Sequence, residues 1–284
     1  MKKNPTVGII GDKGSFGTRL KEFCLANGFR VIGSDLHTPL SNEDVVKKSD
    51  VVIFSVLPHV AVKVIEEALP FSRPDQLWLD VTSVKVIPIE LMRKSKAEVV
   101  GLHPMAAPSV DSFEGQVIFR CVERLGRWRG WLDAFLALTK AKIVDYQPHT
   151  HDIYVAPGQP VLHSTLIAMM GMVGILRIQQ LDPRMFLEQA TPLCYWYLVL
   201  GARVLSRDPQ LYADIQLFNP YALSALRIFQ STIAKLIDMI EKNDKEGFIA
   251  EFTQVKSYFK EESLHELSEL FEKVVKDVAQ ERAK

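Results

Sequence analysis

The sequence has few cysteines, no excess charge of either sign and no apolar run long enough to cross a bilayer. Its 284 residues contain three cysteines, and 34 basic residues balance 34 acidic ones. An odd number of cysteines without metal-ligand spacing argues against a disulfide framework and against a metal site. A formal charge of zero argues against the basic surface typical of nucleic-acid-binding proteins. Cys24, Cys121 and Cys194 are therefore predicted to be small buried residues in a reducing, cytoplasmic compartment.

The most apolar segment, residues 161–176, is interrupted only near its start, by His163, Ser164 and Thr165. It is shorter than the roughly 20 residues that a membrane-spanning helix needs. We interpret it as a helix buried on most sides, within a domain or between subunits. The N-terminus leads directly into a strand pattern and has no signal-peptide apolar region, so we expect no membrane association.

The first 35 residues follow the order strand, glycine-rich turn, helix, strand, acid. The turn is Gly11-Asp12-Lys13-Gly14-Ser15-Phe16-Gly17, and Asp35 ends the second strand. In dinucleotide-binding units, glycines let the backbone approach the pyrophosphate, helix amides hold it, and the acid binds the ribose. The order predicts a cofactor site that includes Gly11, Gly14, Ser15, Phe16, Gly17 and Asp35. The acid at position 35 favours NAD over NADP.

Asp12 departs from this fingerprint because it occupies the place of the first of the three glycines. An aspartate at the phosphate site would repel the pyrophosphate unless its side chain points away. We expect Lys13 to offset part of that charge.

The alternation of strands and helices continues to about residue 148. We predict further strands over 50–56, 76–80, 98–102, 116–122 and 142–144, and helices over 59–68, 86–94 and 127–138. Apolar strands separated by helices indicate an α/β fold with a Rossmann-type, doubly wound, mainly parallel sheet. Ligands bind at the carboxyl ends of such strands, where Ser55, Thr82, Ser83 and His103 fall.

After residue 148 the apolar residues recur only at helical spacing. Prolines at 148, 157, 160, 183, 192, 209 and 220 mark expected helix starts and breaks, with apolar periodicity through Leu181 and again from Pro183 to Leu205. We predict a nucleotide-binding domain over residues 1–148 and an all-helical domain over 149–284. Residues 161–176 and 195–205 offer more apolar surface than a small domain buries alone, which predicts a homodimer through the helical domain.

His103 lies between an apolar run and Pro104 in the segment Gly101-Leu102-His103-Pro104-Met105. Proline restricts the residue before it, so the imidazole is expected to be presented from a loop at a strand end. A histidine in that position can exchange a proton near neutral pH. An isolated His-Pro is better explained by a hydrogen-bonded turn. The glycine-rich turn and the segment Asp80-Val81-Thr82-Ser83-Val84-Lys85 favour a functional role here.

Five motifs in order resemble the prephenate dehydrogenase family, and most closely the dehydrogenase part of bacterial T-proteins. They are Gly11 to Gly17, Asp80 to Lys85, Gly101 to Met105, His151-Asp152 with His163 twelve residues beyond, and Arg203 followed by the segment 208–214. The resemblance covers about residues 6–260. It implies NAD-dependent oxidative decarboxylation of prephenate to 4-hydroxyphenylpyruvate in tyrosine biosynthesis.

The resemblance also implies roles for individual residues. His103 corresponds to the catalytic histidine that accepts the proton of the ring hydroxyl, and Ser83 to a serine that hydrogen-bonds beside it. Arg203 corresponds to the arginine that holds a substrate carboxylate, and His163 to a histidine that lines the same cleft. A histidine with an ordinary pKa near 6.5 suits the proton transfer, and a guanidinium suits a dianionic substrate.

Each role has a simpler alternative. Ser83 could cap the following helix, and His163 could be a hydrogen-bonded core histidine. Arg203 stands in an apolar stretch and so needs an anionic partner, which could be a structural carboxylate. His151 and Asp152 are typical of a structural pair at a helix start. Lys85 could contact cofactor or substrate, or could be a solvated lysine.

Some departures leave the substrate open. Ala106-Ala107 replaces Phe-Gly of many members, and Tyr195 stands about where T-proteins have a second arginine. Arogenate or 4-amino-4-deoxyprephenate is therefore an alternative substrate, and a non-catalytic NAD-binding sensor is an alternative function. A hydroxyacid dehydrogenase is disfavoured because no lysine lies between Lys142 and Lys235. The length predicts a stand-alone dehydrogenase without a mutase or regulatory domain.

Overall fold

A computed structural model of the chain describes residues 4–106, 112–178 and 188–282. Its seven-stranded sheet has the order β2-β1-β3-β4-β5-β6-β7. All neighbouring strands are parallel except β5 and β6, which are antiparallel. This topology confirms the predicted Rossmann-type α/β fold. The strands are β1 Thr6–Ile10, β2 Arg30–Ser34, β3 Val51–Phe54, β4 Leu77–Asp80, β5 Glu98–Pro104, β6 Val117–Arg124 and β7 Lys142–Asp145.

Five helices accompany the sheet, and apolar clusters fill the space on both of its faces. The central strands β1, β3 and β4 are buried along their whole lengths, as parallel strands covered by helices must be. The second helix was not predicted, although its start has the capping box formed by Ser41 and Asp44. The helices are α1 Ser15–Ala26, α2 Asn42–Lys48, α3 Pro58–Ala68, α4 Val86–Met92 and α5 Arg129–Leu138.

Beyond residue 148 the described residues contain helices and no strand, as predicted. Pro148, Pro192 and Pro209 each begin a helix, whereas Leu181 and Pro183 lie outside the described residues. The helices are α6 Pro148–Ala156, α7 Leu162–Ile178, α8 Pro192–Leu205, α9 Pro209–Phe218, α10 Ala222–Glu241, α11 Lys245–Ser257 and α12 Glu261–Arg282.

The prediction that Pro157 and Pro160 break the helix is wrong. A π-helical turn, Pro157–Val161, connects α6 directly to α7. Proline lacks an N–H group and its ring crowds the preceding turn of an α-helix. The wider π turn accommodates both prolines, and such turns are frequent at functional sites.

His103 lies inside a strand rather than in a loop. It is the penultimate residue of β5 and pairs with Phe119 of the antiparallel strand β6. The strand therefore continues two residues beyond its predicted end. The backbone of His103 is therefore fixed by sheet pairing as well as by Pro104.

The chain divides into two compact units. The first comprises Met1–His163 with Arg207–Leu223, and the second Ser164–Ser206 with Ser224–Lys284. Helix α9 thus belongs to the first unit. The functional division into domains 1–148 and 149–284 stays a prediction.

Helix α7 is partly exposed in the single chain, and its predicted burial between subunits stays a prediction. Met172 is 67% exposed and Ile175 is 50% exposed in the single chain. None of the helices in the described ranges is both long enough and apolar enough to cross a membrane. Cys24 and Cys121 are buried as predicted, and burial raises the pKa of each thiol to about 12, whereas Cys194 is half-buried.

Candidate active site

The turn after β1 has the geometry of a phosphate-binding loop. Gly11 has a φ of +90°, which favours glycine, and a Cβ on Gly17 would lie 1.9 Å from the carbonyl oxygen of Gly11. Gly14 is the N-cap of α1 and has no side chain to cap it, so the amides at the helix start can receive an anion. Ser15 is exposed beside them, whereas the Phe16 ring packs against Phe113. The loop fits the pyrophosphate of a dinucleotide.

Asp12 does not present a free charge to this loop. Its side chain is 3% exposed, and Oδ2 accepts a hydrogen bond from Lys21 Nζ at 2.6 Å. The carboxyl group lies against Gly33 of β2, where an added Cβ would come within 2.4 Å of it. The expectation that Lys13 offsets Asp12 is wrong, because the paired cation is Lys21.

Asp35 joins the end of β2 to the glycine-rich loop. Its Oδ2 accepts the backbone N–H of Lys13 at 2.9 Å, and its Oδ1 accepts that of Leu36 at 2.7 Å. The half-buried carboxylate stands where dinucleotide-binding folds carry the acid that binds the ribose.

Two other predicted cofactor residues differ in their hydrogen bonding. The Ser55 hydroxyl, at the end of β3, is buried and has no hydrogen-bond partner in the described part of the chain. The Thr82 hydroxyl donates to the carbonyl oxygen of Val84 at 2.8 Å, and its backbone N–H donates to Asp80. Ser55 thus has an unused hydroxyl group, whereas the Thr82 side chain holds the turn after β4.

His103 is 4% exposed and has a different neighbour at each ring nitrogen. Nδ1 lies 2.9 Å from Nε2 of His151, and Nε2 lies 3.4 Å from the side-chain nitrogen of Gln159. Burial lowers the pKa of His103 well below its usual value, and the nearby His151 and Lys85 lower it further. The imidazole is therefore neutral at physiological pH and can accept a proton.

The pair His151-Asp152 is structural, as interpreted, but it also reaches the predicted base. Asp152 accepts the backbone N–H groups of Lys85 at 2.8 Å and Val86 at 2.9 Å, which caps helix α4. The alternative that Ser83 caps this helix is therefore wrong. The contact of His151 with His103 spans 48 residues of sequence, and no local pattern indicates it.

Lys85 is neither solvated nor a ligand-facing residue. Its side chain is fully buried. The Nζ atom is paired with Asp80 and donates a hydrogen bond to the carbonyl oxygen of Leu102 at 2.7 Å. Gly101 makes room for its stem, since a Cβ there would lie 2.9 Å from Lys85 Cδ. The buried pair of Asp80 and Lys85 therefore supports strand β5 at Leu102.

Gln159 is a site residue that the sequence analysis missed. It stands in the π turn with its amide nitrogen toward His103, and its Oε1 is buried with no partner among the described residues. The flanking prolines were the available signal, but they were interpreted as breaks.

His163, four residues beyond Gln159, packs edge-on against Tyr212 at 4.7 Å between ring centroids. Burial lowers its pKa to about 4, so it is neutral at physiological pH. Its Nδ1 is buried with no hydrogen-bond partner within the described ranges.

Ser83 and Arg203 are not joined to His103 by any hydrogen bond in the residues that the structure describes. Ser83 is half-buried in the turn before α4. Arg203 lies on α8 in the second compact unit with an exposed side chain. Burial is therefore not a reason for Arg203 to need an anionic partner in the single chain, and its pairing with a substrate carboxylate stays a prediction.

Comparison with known proteins identifies the family. A profile described as prephenate dehydrogenase, nucleotide-binding domain, matches residues 34–144, and one described as prephenate dehydrogenase, dimerization domain, matches residues 147–272. The chain belongs to the prephenate dehydrogenase family. The resemblance drawn from its motifs is confirmed.

Individual relatives are distant. The probable arogenate/prephenate dehydrogenase of Methanocaldococcus jannaschii is 28% identical over 92% of this chain and 62% of its own length. The T-protein of Haemophilus influenzae is 28% identical over 88% of this chain and 66% of its own length. This chain thus spans less than two-thirds of either relative.

A solved structure shares the fold. Prephenate dehydrogenase from A. aeolicus, in complex with hydroxyphenyl propionate and NAD+, superimposes with a TM-score of 0.71 at 17% identity. The match covers 91% of this chain and 98% of that one.

Proposed function

We propose that this chain is an NAD-dependent dehydrogenase that oxidatively decarboxylates prephenate to 4-hydroxyphenylpyruvate, a step in tyrosine biosynthesis. One observation carries the proposal: a buried, neutral histidine has one ring nitrogen held by the protein and the other directed toward the π turn. This histidine stands near the carboxyl end of β5, the same edge of the sheet at which the glycine-rich loop follows β1. Membership of the family agrees with this reading.

The cofactor is proposed to lie on the loop from Gly11 to Gly17. The amides at the start of α1 would hold the pyrophosphate, Asp35 would accept the ribose hydroxyls, and Ser55 would offer its free hydroxyl nearby. A carboxylate at position 35 would repel the phosphate that distinguishes NADP, which supports NAD. When bound, NAD supplies the hydride acceptor.

His103 is proposed to act as the general base. Hydride departure from the ring carbon turns its hydroxyl into a carbonyl, so the hydroxyl proton must leave, and Nε2 of His103 accepts it. Loss of carbon dioxide returns an electron pair to the ring and makes it aromatic. The phenolate oxygen then takes the proton back. Burial lowers the pKa of His103, so the ring is neutral before the reaction and has one nitrogen free to accept a proton.

Ser83, His163 and Arg203 are proposed to bind the substrate. Ser83 would hydrogen-bond beside the ring hydroxyl. His163, being neutral, would act through hydrogen bonds and not through charge. The exposed guanidinium of Arg203 would pair with a substrate carboxylate in a bidentate contact.

Replacing Arg203 with glutamine is expected to raise the KM for substrate by about 10- to 100-fold, because hydrogen bonds between charged groups contribute about 1.5–3 kcal/mol. The value of kcat should change less, since the contact exists in both ground and transition states. Steady-state kinetics would measure both constants. Arg227→Gln, at an exposed position on α10, is the matched control. An unchanged KM would remove Arg203 from the site.

The choice of substrate is tested by offering prephenate, arogenate and 4-amino-4-deoxyprephenate separately with NAD. We expect the highest kcat/KM for prephenate. A higher value for either amino compound would reassign the substrate and keep the reaction class. The non-catalytic alternative rested on Asp12, and it loses support because Lys21 neutralises that residue.

We further propose a homodimer formed through the second compact unit. Large apolar side chains are exposed along its last three helices in the single chain, among them Ile228, Ile240, Phe252, Tyr258 and Leu267. Many exposed large apolar side chains on one unit favour a protein interface there. Sedimentation is expected to give twice the mass of the chain, and a monomer at micromolar concentration would contradict the proposal.

A further inference from the structure

We infer that His151 and Asp152 are positioning residues that hold His103 as the tautomer protonated on Nδ1, leaving Nε2 bare for the substrate. Only the expected effect on kcat rests on the proposed function. The arrangement itself is a property of the free protein.

The donor in each hydrogen bond can be identified because the other atom can only accept. Asp152 Oδ1 lies 2.7 Å from His151 Nδ1. Because a carboxylate only accepts hydrogen bonds, the proton of neutral His151 must be on Nδ1. His151 Nε2 is then an acceptor, and the only donor that His103 can offer it is Nδ1–H, 2.9 Å away. The proton of His103 is thus assigned to Nδ1.

The Asp152 carboxylate is held in place by further donors. It accepts the backbone N–H groups of Lys85 and Val86 at the start of α4. The side-chain amide of Asn219 donates to the backbone carbonyl oxygen of Asp152 at 2.9 Å, which holds the middle of α6. His151 and Asp152 are both fully buried, so water does not compete for these bonds.

The rings are also fixed by packing. Phe119 of β6 lies against both imidazoles, with ring centroids 6.2 Å from His103 and 5.4 Å from His151. The two imidazoles meet at an interplanar angle of 63°. A single orientation of His103 is therefore set by one hydrogen bond and one aromatic neighbour. When His103 accepts the proton, the carboxylate of Asp152 lies one imidazole away and stabilises the cation.

The test is a measurement of the ring nitrogens by NMR on 15N-histidine-labelled protein. The His103 signals are assigned by their loss in His103→Asn. The wild type is expected to show a protonated Nδ1 and a bare Nε2 on His103. In His151→Phe this preference should be lost, while kcat falls about 100-fold and KM stays within about threefold, because orientation of the base is lost rather than binding.

Two further variants separate positioning from a general loss of structure. His151→Gln places an amide oxygen where Nε2 lies, so it should restore the Nδ1–H tautomer and most of kcat. His149→Phe changes an exposed histidine of the same helix, which contacts Tyr221, and should leave tautomer and kcat unchanged. If His151→Phe does not fold, the wild-type spectrum still decides the question.

A proton on Nε2 of His103 in the wild type would overturn the inference, as would a His151→Phe variant that keeps both the tautomer and kcat. Failure of the proposed function gives a different result. The spectrum would then be as expected, but wild-type protein would turn over none of the three substrates.

Discussion

Replacing His103 with asparagine is expected to lower kcat by about 100- to 10,000-fold, the range that a general base contributes. Asparagine places an amide N–H where Nδ1–H lies, so the hydrogen bond to His151 is retained. It has no atom at the position of Nε2, so it has no group there to accept the proton of the substrate. The variant therefore removes the base alone, and NAD affinity should stay unchanged, because the glycine-rich loop is untouched. Steady-state kinetics and calorimetric titration of NAD would measure the two effects.

His149→Asn provides the control, because it makes the same substitution at an exposed position of α6 and should retain full activity. Near-normal turnover by His103→Asn would eliminate His103 as the general base. A loss of NAD binding in this variant would instead indicate that His103 supports the fold of the nucleotide site.

Replacing Lys85 with methionine is expected to lower the free energy of unfolding by about 3–5 kcal/mol. Methionine fills a similar volume but leaves the Asp80 carboxylate buried without its cation. It also removes the donor to the carbonyl oxygen of Leu102, next to His103. Denaturation in urea, followed by circular dichroism, would measure the loss.

Two variants test whether the buried pair is the cause. Lys63→Met alters an exposed lysine on α3 and should change stability little, because surface ion pairs contribute about 0–1 kcal/mol. Lys85→Met combined with Asp80→Asn should recover part of the loss, since no unpaired charge then remains. If Lys85→Met alone lowered the free energy of unfolding by less than about 1 kcal/mol, the buried ion pair would not be the stabilising contact we expect.

The fold was largely predictable because strands and helices leave periodic patterns in the sequence. The strand from Thr6 to Ile10 contains no charged residue and is buried throughout because both of its faces are covered, and the glycine-rich turn follows it directly. The antiparallel pairing of β5 with β6 has no such signature. For that reason His103 was assigned to a loop although it pairs with Phe119.

The site was predictable where one residue carries its own chemical signal, and not where the role depends on distant contacts. His103 and the glycines could be recognised from their neighbours in sequence. His151 could not, because its partner is 48 residues away, and its apparent role was to start a helix. Lys85 likewise resembles a solvated lysine at a helix start, and only the tertiary structure reveals its burial with Asp80.

Asp12 and Arg203 are two further residues whose side-chain environments could not be predicted from the sequence. A carboxylate in a phosphate loop is expected to repel its ligand, but Gly33 leaves space beside it and Lys21 neutralises it. An arginine in an apolar stretch is expected to be buried, but Arg203 faces solvent. Side-chain direction, which decides both cases, is not encoded in residue type or spacing.

The most direct test of the account is to incubate the purified chain with NAD and prephenate and to measure NADH and carbon dioxide together. We expect both to form in equal amounts with the wild type, and neither to form at a comparable rate with His103→Asn. Binding of NAD without NADH formation from prephenate, arogenate or 4-amino-4-deoxyprephenate would contradict it.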